Sequence, residues 1–153
     1  MVRLSEEIIQ FFSKQKFVIV STIDKDGTLH TSCKGIVRID KMGLVYLLDL
    51  YLAQTYNNLK RNPQISLTAV DEHHFRGYCL KGKARLLAID KPKPSYIDIW
   101  EKKIASRITQ RLLKNMLGEK GHPHHPEAHL PEPKYLIVVE VKKIIDLTPR
   151  HIQ

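Results

Sequence analysis

The sequence is poor in the residues that define several protein classes. Its 153 residues include two cysteines and one tryptophan, and two cysteines are too few for a disulfide-rich secreted scaffold. No CxxC pair is present, so the commonest zinc-binding pattern is missing. The longest apolar runs, 44–48 and 135–139, are far shorter than the roughly 20 residues of a membrane-spanning helix. The N-terminus lacks the apolar core and cleavage site of a signal peptide. We therefore expect a reduced, cytoplasmic protein.

Acidic residues are also scarce relative to basic ones. Sixteen Asp and Glu face twenty-five Lys and Arg, which leaves a net charge of +9. Such an excess favours an anionic partner, which can be nucleic acid, a phosphorylated cofactor or an acidic surface, and charge alone does not choose among them. A hydrophobic content of 42% is typical of a globular protein. With no internal repeat and no linker, we expect a single domain over residues 1–153.

Periodicity predicts a mainly β protein. Ser5 caps a short helix, and a second helix over 52–61 is ended by Asn62 and Pro63. A long helix is expected over 95–117 and an irregular Pro- and His-rich segment over 119–133. Gly27 is placed for a positive φ in a hairpin turn, and the glycines inside the fifth strand, Gly77 and Gly82, suggest bends, bulges or the close approach of a ligand. Strands are predicted at 17–23, 28–40, 44–50, 64–71, 75–89 and 135–145. Six strands with short links favour a small closed antiparallel barrel, because closure removes exposed edges.

Four segments in this order resemble the pyridoxamine-phosphate-oxidase-like flavoproteins, the FMN-binding split-barrel family. They are STIDKDGTLHTSCKGIVRI (21–39), VYLLDLYLAQTYNNLKRNPQISL (45–67), FRGYCLKGKARLL (75–87) and LTP (147–149). The resemblance implies a six-stranded antiparallel split β-barrel and a homodimer. It also implies two FMN molecules in the grooves between the subunits.

The resemblance places the FMN phosphate at the start of the second helix, at Gln54, Thr55 and Asn58. A helix start suits a phosphate, because its backbone N–H groups and dipole attract anions. The alternative for Thr55 is a first-turn residue without a ligand, and for Asn58 a residue that satisfies local backbone groups. The family often has Lys or Arg where Gln54 stands. Two explanations stay open: the cation comes from Lys34, Lys60 or Arg76, or the phosphate is held more weakly.

The resemblance also assigns flavin contacts to the second, third and fifth strands. The alternation of a strand places Thr31 and Cys33 on one face and Ser32 and Lys34 on the other. Cys33 is interpreted as a buried small residue, as is Cys79, and a redox pair between them is disfavoured. The proposed contacts are backbone or side-chain groups of Thr31, Ser32, Cys33 and Lys34, the pair Leu48 and Asp49, and Arg76. The alternatives are a solvated strand residue for Lys34, a solvent-facing carboxylate for Asp49 and a surface arginine for Arg76.

Two further features are interpreted as solvated surface. The first is a histidine cluster formed by His122, His124, His125 and His129 with Glu127. Histidines can chelate a metal, but this segment has prolines and no fixed ligand spacing. An alternative is that the segment lies over the flavin and helps to shape a substrate pocket. We expect no metal site there. The second is a basic face on the long helix, formed by Lys103, Arg107, Arg111 and Lys114 beside Lys102. It lacks the aromatic stacking residues of a single-strand binder.

These observations predict an FMN-binding flavoprotein that transfers electrons or hydride to or from a small molecule. The flavin carries the chemistry, which agrees with the lack of a visible catalytic triad or carboxylate dyad, so no catalytic residue is named. Oxidation of pyridoxamine phosphate itself is disfavoured, because the ending TPRHIQ lacks the family's substrate-gripping arginine and histidine in a tryptophan-containing tail. A nicotinamide cofactor, a quinone or a deazaflavin remains open. The alternatives are a flavin- or ligand-binding module without turnover and a small basic barrel that binds nucleic acid.

Overall fold

The computed structural model describes residues 1–49, 53–88, 102 and 135–151. Backbone contacts divide the chain into two units, Met1–Ala88 with Pro133–Gln153 and Ile89–Glu132. The first unit holds every helix and strand reported below. Of the second unit only Lys102 is described, so the helix expected over 95–117 and the histidine cluster lie outside the described residues.

Six strands close into one antiparallel barrel, as predicted. In space their order is β1-β2-β3-β6-β5-β4, and every neighbouring pair is antiparallel. The strands are β1 (Val18–Ile23), β2 (Leu29–Ile39), β3 (Leu44–Asp49), β4 (Gln64–Asp71), β5 (Arg76–Ala88) and β6 (Tyr135–Asp146). The fold is therefore mainly β, with a small closed barrel as its central element.

Two helices accompany the barrel, α1 (Glu6–Lys14) and α2 (Gln54–Arg61). The predicted cap of α1 is confirmed, since Ser5 Oγ accepts a hydrogen bond from the N–H of Ile8 at 3.3 Å. Helix α1 buries its apolar face, Ile8 and Phe12, in the core. Helix α2 lies between β3 and β4 in the chain and ends at the predicted Asn62–Pro63 stop.

Alternating side chains separate an inner and an outer face of the barrel. Val18 and Val20 of β1 are at most 1% exposed and face the core. In the register of β1 with β2, Val18 lies opposite Lys34 and Val20 opposite Ser32. Directly opposite residues of an antiparallel pair share a face, so two polar side chains of β2 point toward the barrel interior.

Glycine serves two positions in this barrel. Gly27 has a φ of +85° in the β1–β2 turn, as predicted. At Gly82 the register of β5 with β6 shifts, and a Cβ built there would lie 2.1 Å from the carbonyl oxygen of Glu140. The register shift agrees with the predicted bulge, and the group that lies close to this glycine is the β6 backbone rather than a ligand.

Among the residues that the structure describes, no helix has both the length and the apolar composition to cross a bilayer.

We expect Gly82→Ala to lower the free energy of unfolding by about 1–3 kcal/mol, because the added methyl group must displace the β6 backbone. Gly35→Ala is the matched control, since a Cβ built on Gly35 meets nothing within 4 Å. Urea denaturation of both variants measures the difference. Equal stabilities for the two variants would contradict the close approach at Gly82.

Candidate functional site

The ten predicted site residues separate into three places. Six of them gather at the end of the barrel that α2 contacts: Ser32, Lys34, Asp49, Gln54, Thr55 and Asn58. Three lie on the outer face of the sheet: Thr31 opposite Ser21, Cys33 opposite Ile19, and Leu48 opposite Gly35. Arg76 lies apart from both groups. The predicted division of β2 into two faces is confirmed, and a flat ligand lying against one face does not reach side chains on the other.

The prediction that Cys33 is a buried residue is wrong. Cys33 is exposed, whereas Cys79 is buried as expected. Burial was expected because cysteine is a small apolar residue and the sequence does not show which face of the strand is inside. The register with β1 places Cys33 on the outer face. Cys33 and Cys79 are separated by β1 and β4, through Ile19 and Thr68. Three strand spacings amount to about 14 Å, too far for a disulfide.

A hydroxyl pair joins β2 to the first turn of α2. Ser32 Oγ and Thr55 Oγ1 are 3.1 Å apart, and Thr55 is 4% exposed. Helix α2 begins after Ala53, which provides no side-chain cap, and its first turn holds no acidic residue. The first N–H groups of a helix have no partner within the helix. This helix start therefore combines two hydroxyls with uncapped backbone donors, a combination suited to an anionic group.

A buried ion pair lies two residues further along the same face of β2. Lys34 Nζ is 2.6 Å from Asp49 Oδ2, and the two side chains are 10% and 5% exposed. The Tyr135 hydroxyl donates to the same oxygen at 2.5 Å. Burial, aided by the hydrogen bond to Asp49, raises the pKa of Tyr135, so the phenol stays protonated and keeps donating. The alternative of a solvent-facing carboxylate is therefore wrong for Asp49, which is directed at Lys34 and Tyr135.

The first turn of α2 links the hydroxyl pair to this ion pair. Thr55 contacts Ser32, and the next residue, Tyr56, packs the edge of its ring on Tyr135 with centroids 4.9 Å apart. A polar row therefore runs from β2 through α2 to β6. Tyr135 was not foreseen as a site residue, because the contact with Asp49 spans 86 positions of sequence.

Asn58 is the centre of a second network. Its side chain is fully buried, and its Nδ2 donates to Thr22 Oγ1 at 3.0 Å and to Asp24 Oδ1 at 2.7 Å. Its Oδ1 accepts from Gln54 Nε2 at 3.1 Å and from Arg61 at 3.0 Å. An amide side chain has two donor hydrogens and two acceptor lone pairs, so all four are used. Asn58 connects α2 to β1 and its following turn, and it has no group left for a ligand.

Gln54 likewise directs its amide at the protein. Its Nε2 donates to Asp24 Oδ1 at 2.8 Å as well as to Asn58. The hydrogen bonds from Asn58 and then Gln54 lower the pKa of Asp24, which keeps this carboxyl ionised at neutral pH. Asp24 and Arg61 were both missed from the sequence. Their signal was weak, since Asp24 reads as a turn residue and Arg61 as a helix-terminal cation.

The three cations proposed to replace the family's Lys or Arg each have an internal contact. Lys34 pairs with Asp49, and Lys60 lies 5.5 Å from the ring centre of Tyr56. Arg76 forms an ion pair with Glu7 of α1, beside Tyr78. The structure therefore places Arg76 on β5 against α1, away from the residues gathered around α2.

One edge of β2 is free of a strand partner in the described part of the chain. β1 pairs with β2 over Leu29 to Lys34, whereas β3 pairs with it only from Gly35 to Ile39. Half of the backbone groups from Leu29 to Cys33 point to the β3 side, where residues 50–52 lie outside the described range. This edge adjoins the Ser32–Thr55 pair, so backbone donors and acceptors stand beside the hydroxyls.

The family profile described as pyridoxamine 5'-phosphate oxidase matches residues 4–147. The chain belongs to this family. The predicted family membership is thereby confirmed, and the barrel is the family's split barrel. A search of curated proteins finds no match.

Solved structures share the fold at low sequence identity. A protein from Clostridium acetobutylicum, related to general stress protein 26 of Bacillus subtilis and described as of the pyridoxinephosphate oxidase family, has a TM-score of 0.60 and 17% identity, over 98% of this chain and 100% of that one. A structure described as F420 reductase has a TM-score of 0.63 and 16% identity, over 93% and 98%. HutZ, described as the heme storage protein of Vibrio cholerae, has a TM-score of 0.54 and 18% identity, over 94% of each chain. At these identities the likeness concerns the fold alone.

We expect Asn58→Ala to lower the free energy of unfolding by about 1–3 kcal/mol, because it removes the four hydrogen bonds of a buried amide, to Thr22, Asp24, Gln54 and Arg61. The control is Asn57→Ala, the same change at the exposed neighbouring position of α2. Chemical denaturation measures both variants. If Asn57→Ala were as destabilising as Asn58→Ala, helix propensity rather than the hydrogen-bond network would explain the loss.

The buried pair Lys34–Asp49 gives a second test. We expect Lys34→Met to lower the free energy of unfolding by about 3–5 kcal/mol, because it leaves a buried carboxylate without its counter-charge. The double variant Lys34→Met with Asp49→Leu should recover at least half of that loss. The exposed pair Lys41–Glu6, with side chains 74% and 57% exposed, is the control, and Lys41→Met should cost under about 1 kcal/mol. A double variant as unstable as Lys34→Met alone would contradict the account.

Proposed function

We propose that the chain is a cytoplasmic, homodimeric flavoprotein that binds FMN and transfers electrons or hydride to or from a small molecule. The observation that carries the proposal is the hydroxyl pair Ser32–Thr55 at the start of α2, where Ala53 gives no side-chain cap, beside the stretch of β2 that no described strand pairs with on its β3 side. Family membership supports the same ligand class. The phosphate would be held by the two hydroxyls and the first N–H groups of α2, and the ring would lie along the backbone of residues 31–34.

The donors present fit a flavin phosphate in kind. Hydroxyl and backbone N–H groups are ordinary phosphate ligands, and the net charge of +9 favours anion binding by the whole chain. Asn58 fits less well as a direct ligand, because its four hydrogen-bonding positions are filled. We therefore assign Asn58 a positioning role in which it fixes the helix that carries Thr55.

A bound flavin supplies the redox chemistry at its ring. The residues of this chain orient the ring, shield one of its faces from water and supply donors to its polar edge. The buried Lys34, Asp49 and Tyr135 stiffen the end of the barrel beneath this site. We name no acid or base among them, because their charged and hydrogen-bonding atoms contact one another.

The outer-face residues fit the proposal through a second subunit. Leu29 is 76% exposed and Ile19 is 39% exposed, and both lie on the face that carries Thr31 and Cys33. Exposed apolar side chains on one sheet face favour association with another protein surface. A second copy packed there would bring Thr31 and Cys33 into a groove between subunits, whereas Leu48, which is 6% exposed, is already covered within one chain.

The absorption spectrum of the untreated protein, followed by extraction and identification of any bound chromophore, tests this proposal. Flavin bands that bleach on addition of NADH or NADPH would support an oxidoreductase, and flavin bands without bleaching by any donor would support a binding module. An intense Soret band after addition of heme, together with no affinity for flavin, would show that this chain binds heme instead. A colourless protein whose affinity for DNA or RNA falls steeply with salt would support the nucleic-acid alternative.

We expect Thr55→Ala to weaken FMN binding about tenfold or more, because a hydrogen bond to a charged group is lost. The affinity for riboflavin, which has no phosphate, should fall less than threefold in the same variant. Thr55→Ser keeps the hydroxyl and should restore most of the FMN affinity. Fluorescence titration with both ligands measures these values, and equal losses for FMN and riboflavin would contradict the assignment of Thr55 to the phosphate.

A further inference from the structure

Asp24 directs its carboxylate at α2 from the turn between β1 and β2. The backbone N–H of Asp24 donates to the Thr28 carbonyl at 2.9 Å, and its own carbonyl accepts from Gly27 at 3.0 Å. The turn therefore fixes the direction of the side chain. Oδ1 of this carboxylate then receives the two amide groups of Gln54 and Asn58, at 2.8 and 2.7 Å.

These amides are two of the side-chain donors that the family resemblance implies for a phosphate. Each amide nitrogen has two hydrogens. Those of Gln54 reach Asp24 and Asn58, and those of Asn58 reach Asp24 and Thr22. No amide hydrogen of either residue is left over, and an anionic oxygen of the protein already occupies the place where their donors converge.

The titratable groups around Asp24 carry charges of both signs. His30 lies opposite Thr22 on β2 and is close enough to act on Asp24, as does Asp26 from the same turn with the opposite effect. Arg61 reaches this network from the last turn of α2, where its guanidinium donates to the Ile23 carbonyl at 2.7 Å and to Asn58. The Asp24 carboxylate bonds the side chain of Gln54, the first residue of α2, so a second anion brought to this helix start would meet a negative group beside that residue.

We propose that Asp24 is a specificity-determining residue of the flavin site, an internal carboxylate that occupies the amide donors of Gln54 and Asn58 and opposes a phosphate at the start of α2. The inference rests on the proposed function for the identity of the ligand. Asp24 lowers the affinity for a doubly charged phosphate end and leaves that for an uncharged end unchanged. The chain therefore distinguishes FMN from riboflavin less strongly than the hydroxyl pair alone would allow.

The test compares D24N with D26N, because each removes one negative charge from the same turn. Asp26 accepts from the N–H and the hydroxyl of Thr28 and makes no contact with the amides of α2 that the structure shows. We expect D24N to raise the affinity for FMN about three- to tenfold, as expected for removing a charge at several ångströms in water. The affinity for riboflavin should change less than twofold, and D26N should change neither.

Inorganic phosphate is a probe that does not depend on flavin. We expect millimolar phosphate to raise the melting temperature of D24N more than that of wild type or D26N. If no variant binds any flavin while this gain appears, the proposed function fails, and the opposition of Asp24 to a phosphate at the start of α2 stands. If flavin binds and D24N responds to FMN and phosphate as D26N does, the inference alone is overturned. A decrease in FMN affinity in D24N also overturns it, and the absence of both flavin binding and the phosphate gain overturns both.

D24S is a second variant that removes the Asp24 charge, and it keeps the test valid if D24N does not fold. Serine is a common turn residue and removes the same charge, so it should reproduce the gain in FMN and phosphate binding. Thermal unfolding without ligand confirms that the variants fold. A gain in D24N that is absent in a folded D24S would show that the amide of asparagine, and not the removed charge, is responsible, which overturns the inference.

Discussion

The fully buried side chain of Asn58 is the constraint on which this end of the barrel depends. Its four hydrogen bonds join one helix to the first strand and to the turn that follows that strand. With the helix held in this way, Thr55 meets Ser32 and Tyr56 meets Tyr135. A polar amide at 0% exposure is tolerated because every donor and acceptor has a partner. The hydrogen bonds of Asn58 thus fix the direction of the start of α2.

The charged groups of the barrel end contact one another, which shapes the chemistry that the site can perform. Lys34 and Asp49 neutralise each other in the interior, and Arg76 is paired with Glu7 on the other side of the fold. Neither of these two cations is therefore free to neutralise an anion at the start of α2. A ligand is met by hydroxyls and backbone groups, in a setting that positions a cofactor and leaves the electron transfer to it.

The elements of the fold were predictable from sequence, whereas most pairings of the site were not. Alternation and turn residues predict β4 to the residue, the cap at Ser5 and the two faces of β2, because these features are local. The partners of Asp49 and Arg76 lie 86 and 69 positions away, at Tyr135 and Glu7, so only the closed barrel brings them together. The burial of Cys33 was mispredicted because the alternation of a strand does not show which of its faces is inside, and only the closed barrel decides this.

The central claim is that a flavin is held between the edge of β2 and the first turn of α2. Amide hydrogen exchange with and without FMN tests it most directly, because it reports where the ligand protects the backbone. The account predicts FMN-dependent protection at residues 31–34 and at 54–56, with little change in the β4–β5 hairpin. Protection confined to other strands, or no protection at saturating FMN, would contradict it.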